Sequence, residues 1–228
     1  MNTNVMSSSL RPFMLMRVLL LGGLVALATG CTSPQVHSTV QVLGIDLKAQ
    51  DLKSGGIAFL TPSSATGQEE DKQALALAFT EVMQKMRPSL HIVPLSATLS
   101  AINREGLSSD YKQMFEDYHL TGILDRDMLK KVAGVTGVRY LAQLKLGGFR
   151  QESKNRWGAL GFRILDTKST TIRLFLQIWD SKDGSIVWES AGELTFSHDS
   201  LAEDTVTFKG AVEESARDLI SRLPWTSP

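Results

Sequence analysis

The sequence predicts an α/β (α+β) protein: a mixed β-sheet with helices packed on it, in the order β-α-β-α-α-α-β-β-β-α. Three observations carry this prediction. Apolar residues recur at helical spacing over residues 69–87 and stop at Pro88. Strict alternation runs through residues 170–179, and an Asp-Ser-Lys-Asp-Gly turn at 180–184 returns the chain as a hairpin partner.

In chain order, residues 56–61 (GIAFLT) form a short apolar run closed by Pro62, which reads as a buried strand. The helix at 69–87 buries Leu75, Ala78, Phe79, Val82 and Met86. Residues 90–95 (LHIVPL) are the next strand, which Pro94 confines to an edge or a strand end. Three helices follow. The first covers 96–105. The second is capped by Ser108 or Ser109 and carries Tyr111, Met114, Phe115 and Tyr118. The third is capped by Asp125, turns Met128, Leu129 and Val132 inward and stops at Gly134 and Gly137. Residues 138–146 alternate as a strand, and about 147–169 form a polar hairpin insert. In the hairpin after it, Ile172, Leu174, Leu176 and Ile178 share one face, and residues 185–196 return. Counting back from the turn makes Trp179 and Trp188 near cross-strand partners on one face, either packed or presented to a partner. A last helix at about 203–223 buries Phe208, Val212, Ala216, Leu219 and Leu223, and Trp225 pins its end.

Composition excludes several classes of function. The 228 residues carry 24 Lys+Arg against 24 Asp+Glu, so the basic surplus that displaces counterions from nucleic acid is missing. A single cysteine rules out a disulfide framework and a Cys-based zinc site, and the four histidines lie too far apart to make a ligand pair. There is no Gly-x-Ser-x-Gly elbow, His-Glu-x-x-His or Gly-x-x-x-x-Gly-Lys. Asp125 and Asp127 flank Arg126 at a helix start, and Glu69-Glu70-Asp71 is a helix first turn, where carboxylates favour the positive end of the dipole. His91 is a lone histidine in a strand. The sequence predicts no enzyme, no metal and no nucleic-acid partner.

The amino terminus is more specific. Arg11 and Arg17 precede an uncharged run at 18–28 (VLLLGGLVALA), about half the ~20 residues of a spanning helix. A basic start, a short apolar stretch and small residues describe a secretory signal peptide over 1–30, with Met1, Met14 or Met16 as its start. Leu27-Ala28-Thr29-Gly30-Cys31 resembles the lipobox of bacterial lipoproteins, with Ala28 in place of the commoner Leu. The resemblance implies cleavage between Gly30 and Cys31. It also implies S-diacylglycerol and an N-acyl chain on Cys31, and no other cofactor. Thr32, rather than Asp, after the cysteine implies outer-membrane sorting with the domain facing the periplasm, an orientation toward the exterior staying open. Residues 31–41 then read as the lipidated end and a short tether, and 42–228 as a single domain.

Over roughly residues 55–223 the early Gly-Ile-Ala-Phe-Leu strand and its helix, the Thr-Gly-Val-Arg-Tyr-Leu strand start and the hairpin IRLFLQIWDSKDGSIVWES before a final helix resemble a group of periplasmic lipoproteins. The group includes the TolB amino-terminal domain, LpoB and CsgG. The resemblance implies a domain that binds protein partners or assembles, and no catalysis. The curli-pore role does not carry over, because Arg150-Gln-Glu-Ser-Lys-Asn-Arg156 is too polar to face lipid as a spanning strand. Trp157 with Arg150, Lys154, Arg156 and Arg163 makes a basic, aromatic segment, the candidate partner-binding site.

The expected function is an outer-membrane-anchored, non-catalytic lipoprotein that binds or positions another envelope protein. The alternatives are a self-assembling or accessory subunit of a secretion or transport apparatus, with a homo-oligomer in that case, and a cell-envelope enzyme.

Overall fold

The computed structural model describes residues 35–44, 46–64, 69–159, 162–200 and 207–225. The predicted signal peptide, Gly30 and Cys31 lie outside the described residues, as do the side chains at 35, 36, 149, 151–168, 170 and 196–200. The seven strands are β1 (Gln35–Gly44), β2 (Ile57–Phe59), β3 (Ser63–Ser64), β4 (Ile92–Val93), β5 (Tyr140–Ala159), β6 (Phe162–Asp180) and β7 (Ser185–Ser200). Among the described residues six helices accompany them: α1 (Ala49–Gly55), α2 (Glu69–Met86), α3 (Leu95–Arg104), α4 (Ser108–Thr121), α5 (Arg126–Thr136) and α6 (Phe208–Ser221).

All seven strands join one mixed sheet in the order β1-β7-β6-β5-β2-β4, with β3 beside β5. β2 pairs in parallel with β4 and β5, and β3 in parallel with β5, whereas β1, β5, β6 and β7 pair antiparallel. This is the predicted α/β class. β4 takes the edge position that Pro94 demands, since a proline offers no N–H to a central ladder. Pro94 itself precedes the first turn of α3. Asp125 caps α5 as predicted, its Oδ1 accepting from the Met128 N–H at 2.7 Å. α4 departs from expectation: Leu107 precedes it, and Ser108 Oγ donates to Asn103 Oδ1 at 3.2 Å instead of capping the helix.

The predicted tether is corrected by the structure. Residues 35–44 form an edge strand that pairs with β7 over its whole length, from Gln35↔Ser197 to Gly44↔Trp188. The physical reason is an edge to be covered: β7 offers a row of backbone donors and acceptors, and β1 satisfies them without requiring an apolar run.

The two faces of the sheet are clad differently. On one face α1, α2 and α6 bury Leu52, Phe79, Met83, Val212 and Leu219 against Leu144, Leu146, Ile172, Leu174, Leu176 and Leu194. Each such side chain contributes about 1.5–3 kcal/mol of burial. On the other face α3, α4 and α5 pack Ile102, Met114, Leu129 and Val132 on Ala58, Leu60, Leu141 and Trp179. That second core sits only at the base of the sheet, where β5 begins and β6 ends.

Two bulges decide which residues face which core. In β7 the register steps from Ile178↔Trp188 to Trp179↔Ile186, leaving Val187 as the extra residue. Trp188 therefore packs in the α2/α6 core and Trp179 in the α3–α5 core. The predicted same-face tryptophan pair is thus split across the sheet. In β5 the register steps from Leu146↔Leu174 to Gly148↔Arg173, with Gly147 as the extra residue. A Cβ at Gly147 would lie 2.8 Å from the Phe175 ring, so the close approach of that ring requires glycine. Trp225 packs against the α2/α6 core, with the Arg87 guanidinium carbon 5.2 Å from its ring centroid.

Candidate functional site

Where α3–α5 end, the second face of the sheet continues without helical cover among the described residues. The register places Lys145 and Arg150 of β5, Thr171, Arg173, Phe175 and Gln177 of β6, and Glu189, Glu193 and Thr195 of β7 on this face. Lys145, Arg150 and Arg173 are exposed, while their neighbours on the opposite face, Leu146, Ile172 and Leu174, are buried. Directly opposed residues pair by hydrogen bonds. Gln177 Nε2 donates to Glu189 Oε2 at 2.7 Å, Thr171 Oγ1 lies 3.1 Å from Thr195 Oγ1, and Arg173 pairs with Glu193. The Lys145 ammonium stands 5.8 Å from the Phe175 ring centroid. At the base, the Tyr118 hydroxyl donates to Gln177 Oε1 at 3.3 Å, and burial, then the Glu189 charge, pushes its phenol upward. The result is a polar, hydrogen-bonded surface ordered by cross-strand pairs.

This face runs on into the β5–β6 hairpin, the predicted insert. Arg150 stands opposite Thr171, Lys154 opposite Thr167, Trp157 opposite Leu165 and Arg163 opposite Gly158, with Arg156 at a second register step. Thr171, Thr167 and Leu165 occupy alternate positions of β6, so the ladder brings Arg150, Lys154 and Trp157 to the side that carries Arg173, while a further register step at Ile164 separates Arg163 from that alternation. The Gly147 bulge produces this: without the extra residue, position 150 would fall on the side of Leu144 and Leu146. Only Arg150 among these has a described side chain, and it is exposed. Sequence reasoning missed Arg173, Glu193 and Lys145 as members of the same surface; the alternation of Arg173, Phe175 and Gln177 against the apolar face was the available signal.

Elsewhere, a cavity of about 340 Å³ between α2 and α3 is lined by Ala76, Leu77, Leu95 and Leu99, with Gln73, Thr80 and Ser96 as its polar groups. It offers no acid–base pair. Among the described residues no three of His, Cys, Asp or Glu cluster as metal ligands, and no helix is long and apolar enough to cross a membrane.

No family profile matches the chain, and no curated protein does. Solved structures do. A PelC dodecamer from Paraburkholderia phytofirmans superposes with a TM-score of 0.50 at 11% identity, covering 84% of this chain and 100% of that one. The two share a fold. Lipoprotein GNA1162 from Neisseria meningitidis aligns at 13% identity and a TM-score of 0.44, over 73% of this chain and 98% of its own.

Proposed function

We propose that this chain is a non-catalytic accessory lipoprotein of the bacterial outer membrane, facing the periplasm, whose unclad sheet face binds or positions another envelope protein. The observation that carries the reading is the one-sided cladding. An ordered, polar, three-strand surface with exposed Arg150 and Arg173 has no helix over it among the described residues and continues into the basic segment Lys154, Arg156 and Arg163. In this reading the signal peptide is cut after Gly30, and diacylglycerol and an acyl chain on Cys31 hold the domain at the membrane. Anchoring confines it to two dimensions and raises its effective concentration near membrane partners.

A photoreactive residue at position 173, in the lipidated protein in living cells, tests the reading. One envelope protein captured reproducibly supports it, and no adduct from position 173 overturns it. Metabolic labelling with a palmitate analogue tests the anchor, and the label disappears in Cys31→Ser.

A second reading, self-assembly, is favoured by β1. Its outer edge has no strand beside it among the described residues, and a free edge is a template for another strand. PelC, which shares the fold, was solved as a dodecamer. Self-crosslinks from position 173, together with a mass several-fold above the monomer in detergent, support this reading over the first.

A further inference from the structure

The polar stretch of the β5–β6 hairpin ends before its tip. Residues 150–156 read Arg-Gln-Glu-Ser-Lys-Asn-Arg, and Asn155 stands opposite Asp166, the last acid toward the tip. The described rows beyond are Trp157↔Leu165, Gly158↔Arg163 and Ala159↔Phe162, with Ile164 between. They carry one cation and no acid.

The second observation is one of level. Gln35 pairs with Ser197, Ser197 with Ser169, and Ser169 with Glu152, so one row crosses β1, β7, β6 and β5. From Ser169 to Leu165 is four residues toward the tip, about 13 Å of strand. β1 is antiparallel to β7 and β7 to β6, so the direction from Gln35 back toward the amino terminus also points to the tip. Cys31 precedes Gln35 by four residues, a length of chain that spans at most about 14 Å. A lipid on Cys31 is thereby within reach of the membrane plane only when that plane lies near the level of Trp157 and Leu165, or closer to the core.

We propose that the apolar end of this hairpin, the rows from Trp157↔Leu165 to Ala159↔Phe162, seats in the surface of the same phospholipid leaflet that holds the Cys31 lipid. The proposal rests on the lipoprotein reading for its level and on the residue pattern for its chemistry. Three rows of strand are about 10 Å long, which matches an interfacial seat of about 5–10 Å. A spanning strand needs about 9–11 residues, so this is a foothold and not a pore wall. Trp157 at the upper row suits the headgroup boundary, and Arg156 and Arg163 match anionic headgroups. The polar stretch below, from Arg150 to Asn155, stays in water for protein contacts.

The test uses the lipidated full mature protein in vesicles of phosphatidylethanolamine and phosphatidylglycerol at 3:1 (roughly a bacterial charge density), part of the lipid brominated near the headgroup. Trp179 and Trp188 are buried in the cores and Trp225 sits under Arg87, so Trp157 is the fluorophore that reads the bilayer. The expected result is bromolipid quenching that is lost in Trp157→Phe. It is also lost in Phe162→Asp, whose lipid anchor keeps the protein on the vesicle while the tip withdraws. Near-UV circular dichroism from Trp179 and Trp188 reports whether that variant keeps its core, and Trp157→Phe decides the question alone if it does not. Wild-type fluorescence indifferent to bromolipid overturns the proposal. The acyl mass on the Cys31 peptide is read from the same preparation. Its absence overturns the anchoring reading, and its presence without quenching overturns the tip alone.

Discussion

Replacing Asp180 by Ala perturbs the joint where β5 begins and β6 ends. The carboxylate is 4% exposed, receives Arg139 Nε at 3.0 Å on each oxygen, and accepts the Lys182 N–H of the following turn at 3.0 Å. The hydrogen bond to Asp180 is also the main reason the Arg139 guanidinium is held above its ordinary pKa. Removing one partner of a fully buried ion pair costs about 3–5 kcal/mol. The Arg139 side chain is 30% exposed, so water takes up part of the orphaned charge and about 1.5–2 kcal/mol remains. The unsatisfied Lys182 N–H adds about 1 kcal/mol, which brings Asp180→Ala to about 2.5–3 kcal/mol. Asp180→Asn keeps an acceptor for Lys182 and a neutral hydrogen bond to Arg139, and costs about half as much. Urea unfolding followed through Trp179, the adjacent buried residue, measures both along with Arg139→Ala and the Asp180→Ala/Arg139→Ala double variant. The single changes should be non-additive by about 1–1.5 kcal/mol. A loss below about 0.5 kcal/mol for Asp180→Ala, or strict additivity with Arg139→Ala, would refute the argument that this pair closes the joint.

Three further outcomes are expected. The Tyr111 oxygen accepts the Thr61 N–H at 2.9 Å and lies 3.1 Å from Thr61 Oγ1, and burial pushes its phenol up to about 12. Because the folded state holds that proton more tightly than the unfolded chain, this contribution is intact below pH 10 and declines as pH rises from about 10 toward 12. Tyr111→Phe should cost about 1 kcal/mol at neutral pH and close the gap above pH ~11; urea midpoints that stay parallel across that range contradict it. Gly56 has φ +66°, and a Cβ there would stand 2.9 Å from Val138 Cγ1 and 3.1 Å from the His91 carbonyl oxygen. Gly56→Ala should destabilise by about 2 kcal/mol or more in thermal melts, since left-handed strain and a backbone clash add. Thr207 caps α6 by accepting the Gly210 N–H at 3.1 Å, so Thr207→Ala should cost about 1 kcal/mol in chemical denaturation and Thr207→Ser little.

Periodicity made most of the fold legible, because burial of one helical stripe or one strand face leaves its period in the sequence. The helix at 69–87, the Asp125 cap and the Ile172–Ile178 alternation all stand in the structure, with Leu75, Ala78, Phe79 and Val82 buried as expected, Met86 half-buried and Met83 buried in addition. What escaped were features that side-chain pattern does not encode. β1 is held by a backbone ladder at an edge, and its polar residues read as a tether until β7 is placed beside it. The bulges at Val187 and Gly147 change parity partway along a strand, so counting back from the turn put Trp179 and Trp188 together when they face different cores. The basic residues Arg150 and Lys154 were legible as charges. Their placement on the face of Arg173 and Glu193 depends on one unpaired glycine, which only the register reveals.

The attachment of β1 to β7 also has a mechanical meaning. Ten consecutive residue pairs join the two strands, and their hydrogen bonds lie perpendicular to the strand axis. A pull on the start of β1 along that axis loads the whole row in shear at once. A sideways force would instead open the pairs one after another from the end. The edge strand is thus a seam that stays closed under a pull along its own axis and parts under a lifting force from the side.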